Sequence, residues 1–268
     1  MDEFLKALLL GIIEGITEFL PVSSTGHLII VNQFVDFTGP FAKLFDIVIQ
    51  VGAIFSVLVY FRKRLNPWAA PAGSAGRRDV IELWKKSLVG MLPAIVLGGL
   101  FGKFIQSRLF NPVTVAIMLV AGGVALIALE RRNAPGPIAA IGDLSYRHAI
   151  LIGLFQCLAM VPGTSRSAAT IIGAMLLGTT RLVAAEFSFF LAIPTLCAAA
   201  GYSVLKAERA LTGGEIALLA VGLAVSFATA MLAIAGFMKY ISTRDFKPFG
   251  WYRIALGLAV LGWFFLAS

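Results

Sequence analysis

This chain of 268 residues reads as an all-α, polytopic membrane protein, and three observations lead there. Only 13% of its residues are charged and 59% are hydrophobic, whereas a soluble domain carries about 25% charge. Six apolar stretches approach the roughly 20 residues that cross a bilayer core. Two further apolar stretches are broken near their middles by proline and hydroxyl clusters. A soluble enzyme, a nucleic-acid module and a disordered chain are thereby excluded, in keeping with a mean hydropathy of +0.91. The 27 glycines and 11 prolines are scattered without period, which excludes collagen-like and linker sequence.

The first element, about 4–33, follows Asp2 and Glu3 instead of a basic region. Glu14 and Glu18 interrupt its apolar run, so a cleavable signal is not expected. It breaks at Pro21-Val22-Ser23-Ser24-Thr25. Spans are expected at about 44–61, holding Asp46 and Gln50, at 87–102 and at 113–130. The second broken stretch, about 148–177, is interrupted at Pro162-Gly163-Thr164-Ser165-Arg166. Spans follow at about 182–205, holding Glu186, at 216–238 and at 250–267. Broken backbone at membrane depth survives only where protein or a water-filled cavity satisfies it. Both broken stretches are therefore expected as re-entrant helix–turn–helix hairpins, with two proline-kinked spanning helices as the alternative. Cys157 and Cys197 lie in apolar stretches and read as buried small hydrophobes, not a disulfide framework.

The two broken stretches resemble each other. Gly11, Glu14, Pro21 and Ser24 correspond to Gly153, Gln156, Pro162 and Ser165 at separations of 141 or 142 positions, and Asp46 corresponds to Glu186 at 140. The chain thus reads as one integral membrane domain over 1–268, with repeat 1 at about 1–132 and repeat 2 at about 145–268. Each unit holds one hairpin and three spans. Three is odd, so the second copy is inverted, an arrangement that builds a buried polar site near the midplane.

The net charge of +8 is explained by topology, without nucleic acid. With the 62–86 loop on the cytoplasmic side, that face carries 15 Lys and Arg against 6 opposite. This bias places both termini outside the cytoplasm. Residues 66–78 then form a flexible cytoplasmic loop, not a domain boundary, and Arg166 is the only cation expected at membrane depth.

Ionisable groups at that depth are functional candidates by default. Glu14 and Glu18 project from one helix face. Two adjacent carboxylates repel in low dielectric, so a divalent cation between them, Mg²⁺ or Ca²⁺, is the economical solution; carboxylates bonded to helix ends are the alternative. Ser23 or Ser24 is placed to cap the next helix, whose N-terminus binds anions, with Thr25 beside them. Ser24 and His27 share a face, which suits a hydroxyl nucleophile and an imidazole base; a capping serine and a satisfied buried histidine are the plainer reading. Thr164, Ser165 and Arg166 suit a phosphate clamp, with a structural Arg–Glu pair as alternative. The constellation points to phosphoryl transfer. Asp46 and Glu186 are expected as supporting groups or partners for helix ends.

The run Glu14-Gly15-Ile16-Thr17-Glu18-Phe19-Leu20-Pro21-Val22-Ser23-Ser24-Thr25-Gly26-His27 resembles the first signature of the undecaprenyl-diphosphate phosphatases of the bacitracin-resistance type. Pro162-Gly163-Thr164-Ser165-Arg166-Ser167 resembles their second, with Ala168 where glycine is common. The resemblance covers essentially the whole chain. It implies a dimeric, divalent-metal-dependent hydrolase of the bacterial inner membrane, with six spans and two hairpins. Its activity would be to remove the terminal phosphate of undecaprenyl diphosphate, returning the carrier to cell-wall synthesis and conferring bacitracin resistance. The family's site residues match Glu14, Glu18, Ser24, His27, Ser165 and Arg166. The expected mechanism has Ser24 attack with His27 as base, Glu14 and Glu18 on the metal, and Arg166 on the transition state. A variant gives attack to metal-bound water. The prenyl tail stays in lipid beside a lateral opening on the outer side. A lipid-phosphate transporter or flippase, alone or in addition to hydrolysis, is the competing class, because inverted repeats are also transporter architecture.

Overall fold

A computed structural model describes residues 1–69, 71, 73–131, 136–206 and 210–267. Ala70 and Ala72 of the expected loop, and Arg132 and Arg209 of the charge count, lie outside these. The described residues form α-helices, with one isolated bridge between Ile138 and Thr179. α1 (Glu3–Thr17) and α2 (Ser24–Phe34) are joined by a turn. α3 (Pro40–Tyr60) is followed by the single-turn α4 (Arg62–Leu65), then by α5 (Ala75–Leu109) and α6 (Pro112–Arg131). α7 (Tyr146–Gln156) and α8 (Arg166–Leu176) are joined by a 3₁₀ turn at Cys157–Met160 and a short loop. α9 (Arg181–Leu205), α10 (Gly213–Ile241) and α11 (Lys247–Ala267) complete the chain.

Among the described residues, α3, α5, α6, α9, α10 and α11 are the six helices long and apolar enough to cross a membrane, so the fold is polytopic. α1, with 15 residues, and α2, with 11, are not among them. At 1.5 Å per residue even α1 reaches only about 22 Å, short of a roughly 30 Å hydrocarbon core. Pro21 sits in the turn that ends α1, since it has no N–H to continue a helix. α2 ends where Asp36 adopts a left-handed φ of 51° and the Phe37 N–H returns to the Asn32 carbonyl at 3.0 Å.

Packing crosses between the two halves of the chain. α1 packs chiefly on α10, and α7 on α5; α3 packs on α10 and α9 on α5; α6 lies along α11. Lipid is as apolar as leucine, so such contacts depend on close backbone approach and fit. A Cβ on Gly11 would lie 2.9 Å from the Gly222 carbonyl oxygen, and one on Gly153 would press harder on the Gly90 carbonyl. Phe19, Phe61, Phe189, Phe190, Phe237 and Phe246 share the main core. Ion pairs tie the helix ends: Arg64 to Glu186, and Arg181 to the buried Glu130, whose Oε1 also accepts the Phe246 N–H. Asp46 accepts from Asn32 at 2.7 Å. Both cysteines are free, and Cys197 is exposed instead of buried.

Candidate functional site

The two turns meet. Each ends in a serine with a left-handed backbone, Ser23 at φ 74° and Ser165 at φ 73°. Such a conformation costs about 1–3 kcal/mol in a non-glycine residue and persists only where its surroundings enforce it. Both serines cap the helix that follows: Ser23 Oγ accepts the Gly26 N–H, and Ser165 Oγ the Ala168 N–H, each at 3.2 Å. The backbone therefore pairs Ser23 with Ser165, whereas the residue pattern had paired Ser24 with Ser165. Ser24 then corresponds to Arg166, each the first residue of its helix.

A hydrogen-bonded chain runs between the turns. The Ser24 hydroxyl donates to Glu18 Oε2. Arg166 Nη2 donates to Glu18 Oε1 at 2.9 Å, and its Nη1 to the Ser188 carbonyl oxygen at 2.9 Å. The fully buried Thr170 donates to Ser188 Oγ at 2.7 Å. Ser167 Oγ, within 3.0 Å of Ser165 Oγ, donates to the Leu20 carbonyl at 2.8 Å. The Arg166 guanidinium also lies over the Phe19 ring, 5.7 Å from its centroid. Among the described residues, Arg166 Nε and the Thr164 hydroxyl are buried donors without a partner. Thr25 lies half-buried in the first turn of α2.

Three expectations are corrected here. The Ser24–His27 bond is not made, although the residues share a helix face. His27 Nδ1 lies 2.8 Å from the Ser23 carbonyl oxygen, to which it can only donate, so in the neutral ring Nε2 carries the lone pair and accepts from the Tyr252 hydroxyl at 2.7 Å. The divalent cation expected at Glu14 and Glu18, Mg²⁺ or Ca²⁺, does not fit. Among the described residues no group of three or more His, Cys, Asp or Glu side chains is arranged to hold a metal ion. The cation beside Glu18 is the Arg166 guanidinium, and metal dependence is withdrawn with the cofactor. Glu14 is fully buried, and its carboxyl oxygens find no hydrogen-bond partner among the described residues.

The third correction is Arg253, which had been counted with the cytoplasmic cations. It is fully buried on α11 and donates to five carbonyls. One belongs to the first turn (Pro21), two to the second (Gly163 and Thr164) and two to α6 (Met118 and Leu119). Arg166 is thus not alone at this depth. Neither Arg253 nor Tyr252 was singled out from sequence; a Tyr-Arg pair just inside an otherwise apolar span was the available signal.

Chemically the arrangement offers a hydroxyl on a carboxylate, a guanidinium with a spare donor, and two helix N-termini whose first N–H groups have no intrahelical partner. That set receives an anion with oxygens on several sides. Comparison with known proteins points the same way. Residues 7–259 match the family model described as "Bacitracin resistance protein BacA". The chain is 48% identical over 266 residues to Undecaprenyl-diphosphatase 1 of Clostridioides difficile, covering 98% of this chain and 97% of the relative. It is 49% identical over 260 residues to Undecaprenyl-diphosphatase of Acidovorax ebreus, covering 96% and 93%. With Undecaprenyl-diphosphatase of Enterococcus faecalis it shares 44% over 265 residues, covering 97% and 96%.

Proposed function

The chain belongs to the bacitracin resistance protein BacA family, and from that premise we propose that it is an enzyme of the bacterial inner membrane. It hydrolyses undecaprenyl diphosphate to undecaprenyl phosphate and inorganic phosphate, which recycles the lipid carrier for cell-wall synthesis and protects against bacitracin. The observation that carries this reading is the chain Ser24–Glu18–Arg166, which joins one turn to the other.

In the proposed reaction the terminal phosphate enters between the N-termini of α2 and α8, where Ser23, Thr25, Thr164 and Ser165 surround it. Arg166 turns from Glu18 to the phosphate oxygens, and this frees the carboxylate. Ser24 Oγ attacks phosphorus as Glu18 Oε2 takes its proton, and the bond to the bridging oxygen breaks, releasing undecaprenyl phosphate. Water, giving its proton to His27 Nε2, then attacks the phosphoserine. The Ser24 Oγ–phosphorus bond breaks, and Glu18 returns its proton to Ser24. Positive charge and aligned N–H groups on the equatorial oxygens are what such a transfer requires. Glu14 acts as a buried acceptor behind Glu18, with no metal.

We further read α1–α2 and α7–α8 as re-entrant hairpins of an inverted repeat within a single domain. The reciprocal packing of α1 on α10 and α7 on α5, the matching glycine contacts and the paired Ser23 and Ser165 conformations support this. The charge bias keeps its sign without Arg253 and supports termini and a site opening on the outer side. A homodimer is proposed from family resemblance; α5, the least buried of the spans, offers the surface for it. The decisive experiment is phosphate release from undecaprenyl diphosphate by purified protein in detergent. Release that disappears in Ser24→Ala and Arg166→Ala supports the reading, and no release by the parent protein ends it.

A further inference from the structure

α2 packs on α1 and α6, and α11 on α6. Along their exposed faces α2 and α11 are bridged by two ring pairs. Near the turn, the His27 and Tyr252 ring planes are parallel within 2°, with centroids 5.7 Å apart and the Tyr252 hydroxyl 2.7 Å from Nε2. Toward the other end, Phe34 lies 5.7 Å from Trp263, tilted by 58°. His27 and Phe34 are two turns apart and Tyr252 and Trp263 three, so each pair of residues lies on one face of its helix. The seam between the rungs is then about 10–16 Å long.

The contacts that form these rungs are made by side chains. Rotating exposed side chains takes picoseconds to nanoseconds and breaks no backbone hydrogen bond. Tyr252 is 47%, Phe34 65% and Trp263 63% exposed, so the seam faces outward, toward the hydrocarbon of the bilayer. It is also graded. The inner rung is polar, and its imidazole follows Ser24 by three residues; the outer rung is wholly aromatic. A ligand that matches this gradient has an anionic head and a long unsaturated hydrocarbon tail.

Resting on the hydrolase reading above, we propose that the α2–α11 seam is the binding groove for the prenyl chain of the lipid diphosphate. Tyr252 covers His27 in the resting protein and swings aside as the diphosphate turns in toward Ser24. The chain then lies between the rungs, against Phe34 and Trp263.

The test is a reversible cross-link. Phe34→Cys and Trp263→Cys are combined in a background carrying Cys157→Ala and Cys197→Ala, and bridged with a short bis-methanethiosulfonate. Phosphate release is compared for undecaprenyl diphosphate and for a short, soluble prenyl diphosphate. Cross-linking should lower the long-to-short ratio of kcat/KM by roughly ten-fold or more, the loss of about one ring-sized apolar contact, and reduction should restore it. A long-chain rate unmoved by complete cross-linking, or equal loss with both substrates, would overturn the groove. Should the double-cysteine protein not fold, Trp263→Ala alone should lower the same ratio several-fold, and an unchanged ratio is then the overturning result. If the parent protein releases phosphate from neither substrate, the hydrolase reading itself has failed.

Discussion

Arg253 Nη1 donates to the Pro21 carbonyl oxygen at 3.1 Å, while its Nη2 reaches the Gly163 and Thr164 carbonyls at 3.0 Å each. One guanidinium thereby holds the two turns that carry the site. Among the described residues no carboxylate pairs with it; carbonyl dipoles solvate its charge. Lysine cannot reproduce a planar fork of five donors. Arg253→Lys is expected to lower kcat by about 100-fold or more through misplaced turns. Arg253→Met should cost about 3 kcal/mol or more by leaving buried carbonyls unpaired. Thermal unfolding in detergent alongside phosphate release measures both.

The split between Glu18 and His27 makes a prediction about intermediates. Ser24→Ala should reduce turnover by about 1,000-fold or more. With His27→Ala, phosphoserine should accumulate, because the first transfer uses Glu18 and only its hydrolysis uses the imidazole. Glu18→Gln should form no phosphoserine at all. Quenched reactions with labelled diphosphate, followed by phosphopeptide mapping, read the three outcomes. Rapid labelling of Glu18→Gln at wild-type rate would remove Glu18 as the base.

A buried carboxyl without a partner destabilises the fold that holds it. At the corresponding place in the second half stands Gln156, whose amide donates to Thr195 at 3.2 Å. Glu14→Gln is accordingly expected to raise stability by about 1 kcal/mol while impairing turnover. A lowered melting temperature would show that Glu14 has a compensating partner in the working enzyme.

Helix approach at Gly153 leaves no room for a side chain. Gly153→Val should therefore destabilise by about 2–3 kcal/mol or prevent folding. A serine at the exposed Gly99, where a Cβ meets nothing within 4 Å, should leave the unfolding temperature within experimental error. Parallel melting curves distinguish local crowding from general intolerance of the spans.

All six spans were legible because hydropathy over a bilayer-length window is a property of the local chain. α5 nevertheless begins at Ala75, well before the expected 87–102, because its charged first turns from Arg77 to Lys86 continue the helix beyond the apolar stretch. Glu18, Ser24 and Arg166 were legible as polar groups with no reason to be in an apolar run. Their connections were less so. Ser24 and His27 share a face at three-residue spacing, yet each bonds elsewhere, since a shared face does not decide which rotamer wins. Tyr252 and Arg253 meet partners 225 and 232 positions away. Nothing local marks that distance, and Arg253, near the start of its helix, looked like one more loop cation. The metal expectation failed for a related reason: the charge that balances Glu18 comes from the other half of the chain.

That exchange of partners sets a timetable for biogenesis. α1 leaves the ribosome roughly 200 residues before α10, the helix against which Gly11 and Gly15 must nest. Until then a two-carboxylate segment too short to cross the bilayer has only α2 and α3 beside it and lacks its main partner. The insertion machinery, or a temporary fold of the first half, must shelter it. Truncated nascent chains ending before Gly213 should consequently be prime substrates for membrane quality-control proteases.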